Sequence, residues 1–326
     1  MQSVRNQAAG LYCGLSEGRN SDAQYGSPPA RGVVSGNAGN DGEAVAASPR
    51  RSARRSFKSR LAYNIGMYID SHCHINFPEL AARMPEILAK MAENKVTHAL
   101  CVSVDLPDFP GVLALAEQYP HIYASVGVHP DYEDTPEPTV EQLVALADHP
   151  KIVAIGETGL DYYRLEGDLE WQRERFRTHI RASRATRKPL IIHTRAASAD
   201  TIRILQEEGA GVAQGGVAGV MHCFTESLEV AQAAIEMGFY ISFSGIVTFK
   251  SAKDLQAVAK ALPLERMLIE TDSPYLAPVP YRGKMNEPGF VPHVAEFLAT
   301  LKDVPLREVA DRTTENFHTL FNVPED

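Results

Sequence analysis

Met67-Tyr68-Ile69-Asp70-Ser71-His72-Cys73-His74 joins a short apolar run to two histidines one residue apart. Side chains alternate along an extended segment, so both imidazoles point one way while Cys73 points the other. The same construction recurs down the chain. Lys151-Ile152-Val153-Ala154-Ile155-Gly156 leads to Glu157, Pro189-Leu190-Ile191-Ile192 to His193, Gly219-Val220-Met221 to His222, and Arg266-Met267-Leu268-Ile269-Glu270-Thr271 to Asp272. Each run reads as a strand with a metal-type ligand at or near its C-terminal end. In a closed parallel barrel those ends lie on one face, so residues as distant as His72 and Asp272 can surround one or two cations.

Working outward, short apolar runs alternate with longer amphipathic segments, the pattern of a parallel sheet wrapped by helices. Strands are expected at 67–70, 97–103, 122–128, 152–157, 189–193, 219–222, 239–243 and 267–270. Helices are expected near 80–94, 110–119, 139–148, 168–187, 198–208, 227–237, 251–261 and 291–301, with a helical tail beyond Leu306. Eight strand-helix units suit a TIM (β/α)8 barrel, an α/β fold of about 250 residues. A doubly wound open sheet is the alternative, but the Gly-rich nucleotide-binding turn is missing after the first strand.

With 326 residues, 44% of them apolar, the chain can bury the core of one large barrel or of two ordinary domains. No apolar run approaches the roughly 20 residues that span a bilayer, and the first residues lack the apolar centre of a signal peptide. No membrane partner and a cytoplasmic location are therefore expected. Cys13, Cys73, Cys101 and Cys223 show no paired spacing and read as reduced thiols.

Residues 1–66 differ in kind. They are rich in Gly, Ser, Ala, Arg and Asn, carry Arg50-Arg51-Ser52-Ala53-Arg54-Arg55, and show no periodicity, which predicts a disordered, low-complexity extension to a 67–326 barrel. A nucleic-acid-binding arm and a transit peptide are the functional alternatives. Met67 directly before the first strand favours a mis-assigned start or an added extension, and Glu17, Asp22, Asp41 and Glu43 weaken the transit-peptide reading. This stretch has nine basic and four acidic residues, a charge of +5; against −9 for the whole chain, the remainder carries −14. So acidic a domain does not hold a phosphate backbone by bulk charge, and any phosphate must be recognised locally.

His72-x-His74 alone is weak evidence for a metal. Two further strand-terminal histidines, His193 and His222, and two carboxylates, Glu157 and Asp272, complete a set suited to divalent Zn, Mg or Mn. Six ligands exceed what one catalytic ion with an open position needs, so two ions are expected. The partition gives His72, His74 and Asp272 to one ion and His193 and His222 to the other, with Glu157 bridging. Asp272 can also accept the proton of a metal-activated water, which makes Asp272 and Glu157 the catalytic candidates.

Asp70-Ser71-His72-Cys73-His74, Gly156-Glu157-Thr158-Gly159-Leu160-Asp161-Tyr162-Tyr163, His193-Thr194-Arg195, His222-Cys223-Phe224-Thr225 and Glu270-Thr271-Asp272-Ser273-Pro274-Tyr275-Leu276-Ala277-Pro278 together resemble the TatD family of metal-dependent deoxyribonucleases. The resemblance spans essentially all of 67–326 and leaves 1–66 without a counterpart. It implies a TIM barrel of the amidohydrolase-like superfamily, a divalent metal centre, and hydrolysis of DNA phosphodiesters, commonly 3′ to 5′ on single strands. The family's ligands fall on His72, His74, Glu157, His193, His222 and Asp272. A family histidine near the phosphate or an additional metal falls on His129, for which a hydrogen-bonded loop histidine is the alternative.

Local positive charge for a phosphodiester is available from Arg195, Arg282 and Lys284, although each also reads as a solvated loop charge. Tyr162, Tyr163, Phe224 and Tyr275 offer rings for stacking on an unpaired base, or pack beneath the loops. Asp70 and Glu270 read as groups that orient ligands, and Gly156, Gly159 and Gly245 as backbone turns. The rival activity is an amidohydrolase acting on a small amide, lactone or phosphoester. A lysine ending the fourth strand would favour it, and Glu157 stands there instead. A non-catalytic metal-binding protein is the rival from another class.

Overall fold

The computed structural model describes residues 66–163 and 165–325. The expectations for the extension, apart from Gly66, and for Cys13 fall outside the described residues. Eight strands, β1 (Tyr68–Cys73), β2 (Val96–Cys101), β3 (Ile122–Val126), β4 (Ile152–Asp161), β5 (Leu190–Arg195), β6 (Gly219–Met221), β7 (Tyr240–Phe243) and β8 (Met267–Ile269), pair in parallel in chain order. A parallel bridge between Cys73 and Ser273 brings the ends of the sheet together, so the barrel is nearly closed. This is the expected TIM barrel.

Helices fill the connections: α1 (Pro78–Ala81), α2 (Met84–Glu93), α3 (Phe109–Gln118), α4 (Val140–Ala147), α5 (Glu170–Thr186), α6 (Ser198–Glu207), α7 (Leu228–Glu236), α8 (Lys253–Ala261), α9 (Val291–Lys302) and α10 (Leu306–Phe321). The single helix expected near 80–94 is two. Pro85 lacks the N–H that would bond the Ala81 carbonyl, and its ring opposes a continuous helix through that turn. β1 and β4 run past the expected ends at 70 and 157, so His72 lies within its strand rather than after it and Glu157 within its strand rather than at its end. No described helix is long and apolar enough to cross a membrane.

Two apolar layers follow from the period of two along each strand. The larger lies between strands and helices. The smaller gathers Ile69, Leu100, Val153, Ile191, Val220 and Leu268 against Phe317, Leu320 and Phe321 of α10. Ile191 and Val220 lie two positions before His193 and His222, so these two histidines continue the face that, lower down, forms an apolar interior. Glu157 follows a register shift of β4 between Ile155 and Thr158, and Asp272 lies past the end of β8. His72 is three residues from Ile69, and the shift of β1 register between Asp70 and Cys73 gives it room to face the same way.

Candidate metal centre

The six expected ligands converge, and Glu157 is their hub. Its Oε2 lies 3.3 Å from His72 Nε2 and 3.8 Å from His74 Nε2, while its Oε1 lies 2.7 Å from His222 Nε2 and 3.3 Å from His193 Nδ1. Asp272 Oδ1 closes the first group, 3.4 Å from His74 Nε2 and 3.8 Å from His72 Nε2. The imidazoles of His72 and His74 approach to 3.2 Å between their Nε2 atoms. All six residues are buried.

For three of the four histidines the tautomer follows from what holds the other nitrogen. His74 Nδ1 faces the Val102 carbonyl at 3.1 Å, and His222 Nδ1 faces Glu270 Oε1 at 3.2 Å. His193 is held the other way round, with Nε2 3.0 Å from Asp161 Oδ2, leaving Nδ1 toward Glu157. Each of these three neutral rings thus presents a lone pair to the centre, while His72 Nδ1 is buried without a hydrogen-bond partner. His222 Nε2, Glu157 Oε1 and both Asp272 oxygens are buried without hydrogen-bond partners. A lone pair facing a carboxylate oxygen at 2.7 Å is repulsive unless a proton or a cation sits between them, so this donor set fits divalent metal.

Burial opposes ionisation of Glu157, but His222, His129 and His72 hold its carboxyl well below the usual range. Asp272 behaves alike: burial raises it, and the His74 contact with the charges of His72 and His222 lowers it overall. Burial and the neighbouring His222 lower His72, favouring the neutral, ligating form. Burial would also lower His193, yet Asp161 and Glu157 lift it to about 9. Carboxylates that attract a proton there attract a cation equally, so protons and metal compete for these nitrogens.

The matched family model, "TatD related DNase", spans residues 69–322. The chain is 46% identical over 258 residues to the "uncharacterized metal-dependent hydrolase YcfH" of Escherichia coli K12, covering 78% of this chain and 96% of the relative. It is 42% identical to YabD of Bacillus subtilis, a protein of the same description, covering 79% and 100%. The chain belongs to the TatD family. The crystal structure of YjjV, a TatD homologue from E. coli K12, matches with a TM-score of 0.72 at 31% identity, over 79% of this chain and 98% of that one. The protein is accordingly a metal-dependent hydrolase of TatD type.

His129, the family position flagged for phosphate or an additional metal, stands at the same centre. Its Nε2 is 3.3 Å from both Glu157 Oε1 and His193 Nδ1. The Asp131 N–H donates to His129 Nδ1 at 3.0 Å, which leaves the neutral ring's proton on Nε2. His129 therefore turns a donor, not a lone pair, toward the TatD centre. Asp70 and Glu270 hold neighbours in place as expected: Asp70 accepts from the Thr271 N–H and hydroxyl at 2.8 and 2.6 Å, and Glu270 accepts from the Cys223 N–H at 2.7 Å. A Cβ on Gly159 would meet the His193 carbonyl oxygen at 2.0 Å, so the close passage of β4 over β5 requires glycine.

Arg195, Arg282 and Lys284 stand outside the ligand cluster, each over a ring: Arg195 3.8 Å from the Tyr163 centroid, Arg282 3.9 Å from Phe249, and Lys284 5.6 Å from Tyr281. Of the expected stacking rings, Phe224 is buried, and Tyr162 is half-buried against the core with its hydroxyl donating to Asp200 at 2.7 Å. Tyr275 is half-buried beside Phe77, which stacks on His74 with centroids 5.0 Å apart. Sequence reading missed Phe77 and the role of Asp161. The signal for Asp161 was its place four residues past Glu157 on one strand face.

Proposed function

We propose that this TatD hydrolase cleaves phosphodiester bonds in DNA, removing nucleotides from the 3′ end of single strands. The observation that carries the reading is the division of Glu157, one oxygen toward His72 and His74 and the other toward His193 and His222, which suits two divalent ions about 3.5 to 4 Å apart. His72, His74, Glu157 and Asp272 would hold one ion, and His193, His222 and Glu157 the other. When bound, such a pair supplies Lewis acidity that acidifies water and offsets charge on phosphoryl oxygens. The family model's description as a DNase supports DNA as the substrate.

The chain's own residues divide the remaining work. Asp272 Oδ2, buried and without a hydrogen-bond partner, accepts the proton of the attacking water. His129 Nε2–H donates toward the phosphate. Arg195, Arg282 and Lys284 supply the local positive charge that an acidic domain needs for a polyanion. Glu157 stands where a carboxylated lysine would serve the small-molecule amidohydrolase chemistry, which tilts the reading toward phosphodiesters.

The test is digestion of a 5′-labelled single-stranded oligonucleotide by the full chain with Mg, Mn or Zn, beside Asp272→Asn. A descending ladder that requires metal and slows about 10²- to 10⁴-fold in the variant is expected, the range for loss of a general base. An intact oligonucleotide in the presence of bound metal overturns the DNase reading and moves attention to small phosphoesters.

A further inference from the structure

One face of α5 is built against the usual logic of a helix packed on a barrel. Phe176 and Ile180 make the apolar contact, yet Gln172, Arg175 and His179, spaced to share that face, are buried too. Burying an amide, a guanidinium and an imidazole carries a desolvation cost that specific partners must offset. Those partners are backbone groups beside the metal centre. Gln172 Oε1 accepts from the Asp161 N–H at 2.8 Å, and its Nε2 donates to the Asp161 and Pro130 carbonyls at 3.1 and 3.3 Å. Arg175 Nη1 donates to the His129 carbonyl at 3.0 Å, and His179 Nε2 accepts from the Val128 N–H at 3.0 Å.

The bonds thus run along Val128-His129-Pro130 at the end of β3 and converge on Asp161 at the end of β4. Asp161 in turn holds His193 at 3.0 Å. The bracket reaches the surface through Glu137, which accepts from Arg175 Nε at 2.8 Å and is itself half-exposed. Among the described residues no such helix face serves the other half of the centre. There β1 and the residues after β8 hold one another directly, through the Asp272 N–H to the His72 carbonyl at 2.9 Å and the Asp70–Thr271 bonds.

We propose that Gln172, Arg175 and His179 are positioning residues for one half of the metal centre: they fix the His129 donor and, through Asp161, the lone pair of His193. The inference rests on the two-ion reading above and concerns the ion on the His193 side alone. An orienting group behind a metal ligand is worth about 10- to 100-fold in affinity.

The test titrates the metal-free full chain with Co(II), following the visible absorption of the bound ion and the heat of binding, with no nucleic acid present. Its outcome is therefore independent of whether DNA is the substrate. Gln172→Leu is expected to weaken one of two ions by about 10- to 100-fold and to alter that ion's spectrum, leaving the other ion as in the wild type. Should Gln172→Leu fail to fold, Arg175→Met is read the same way; its partner Glu137 is half-exposed, so no buried charge is stranded. Arg181→Met is the control, removing a half-exposed arginine of the same helix from its pairs with Glu174 and with Glu208 after α6, and should leave both ions unchanged. The proposal fails if the folded variant keeps both affinities, if both fall alike, if Arg181→Met weakens the same ion equally, or if the wild type binds a single ion.

Discussion

His179 illustrates how a residue can be buried for its lone pair. Its Nδ1 faces the Arg175 carbonyl at 2.8 Å, so the neutral ring donates there and its Nε2 accepts from Val128. Burial pushes the ring's pKa down to about 4, and the nearby Arg175 charge pushes the same way. The unfolded chain takes up a proton near pH 6.5 and the folded chain only near pH 4, so between those values the unfolded state binds more protons. The neutral ring's contribution is complete above pH 6.5 and is lost as pH falls toward 4, on the order of 3 kcal/mol in all. Urea titrations at pH 7.5 and 5 should show His179→Gln losing about 2 kcal/mol less than the wild type between the two. Equal losses would show that the folded ring takes up its proton as readily as the unfolded one. None of this was legible in the sequence. The six candidate ligands could be read because each stands at or near the end of an apolar run, whereas Gln172, Arg175 and His179 sit within a charged helix where only the finished contacts separate buried polar groups from the arginines around them.

Among the elements, three helix ends share one device. The last carbonyls of a helix lack intrahelical donors, and the C-terminal end of the dipole favours a cation. Lys151 Nζ donates to the Tyr119, Pro120 and Ile122 carbonyls after α3, at 3.3, 2.6 and 3.1 Å. Lys188 donates to Ala147, the last residue of α4, and to His149 and Ile152 beyond it, and Lys302 to Ala259, Lys260 and Leu262 at the end of α8. An ammonium has three rotatable donors for such a trio, which a planar guanidinium cannot match. Lys188→Met is expected to lower unfolding free energy by about 1 to 3 kcal/mol, and Lys188→Arg to recover less than half of the loss. A midpoint in urea unmoved by Lys188→Met would refute this. Strand-helix alternation was legible because burial on both faces turns a barrel strand into an unbroken apolar run. The ends of β1 and β4 were not, because past Asp70 and Glu157 the backbone stays extended while the side chains turn polar to build the centre. The break before Met84 was available from Pro85, but an apolar period running across it suggests one helix.

At the scale of the molecule, the weakest join in the barrel is where the centre sits. β4 and β5 keep register as far as Asp161 and Arg195, whereas β8 is three residues long and meets β1 mainly beyond its own end. The His74 N–H to the Ser273 carbonyl at 2.8 Å and the Asp272 N–H to the His72 carbonyl are the backbone bonds of that seam. His72 and His74 belong to one side of it and Asp272 to the other, so an ion held by all three would staple the barrel closed. At free metal a hundredfold above Kd, the bound ion adds about 2.7 kcal/mol, equivalent to about 5 °C in Tm for a domain of this size. Chelation should lower Tm by that amount with far-UV circular dichroism unchanged below the transition. Amide exchange should then accelerate along 68–74 and 267–273 more than along β4 and β5, whose ladder does not depend on the ion. A uniform loss of protection would place the stabilisation in the whole fold rather than at the seam. Unchanged exchange with a lower Tm would mean that the seam holds without metal and that the ion acts only on global unfolding.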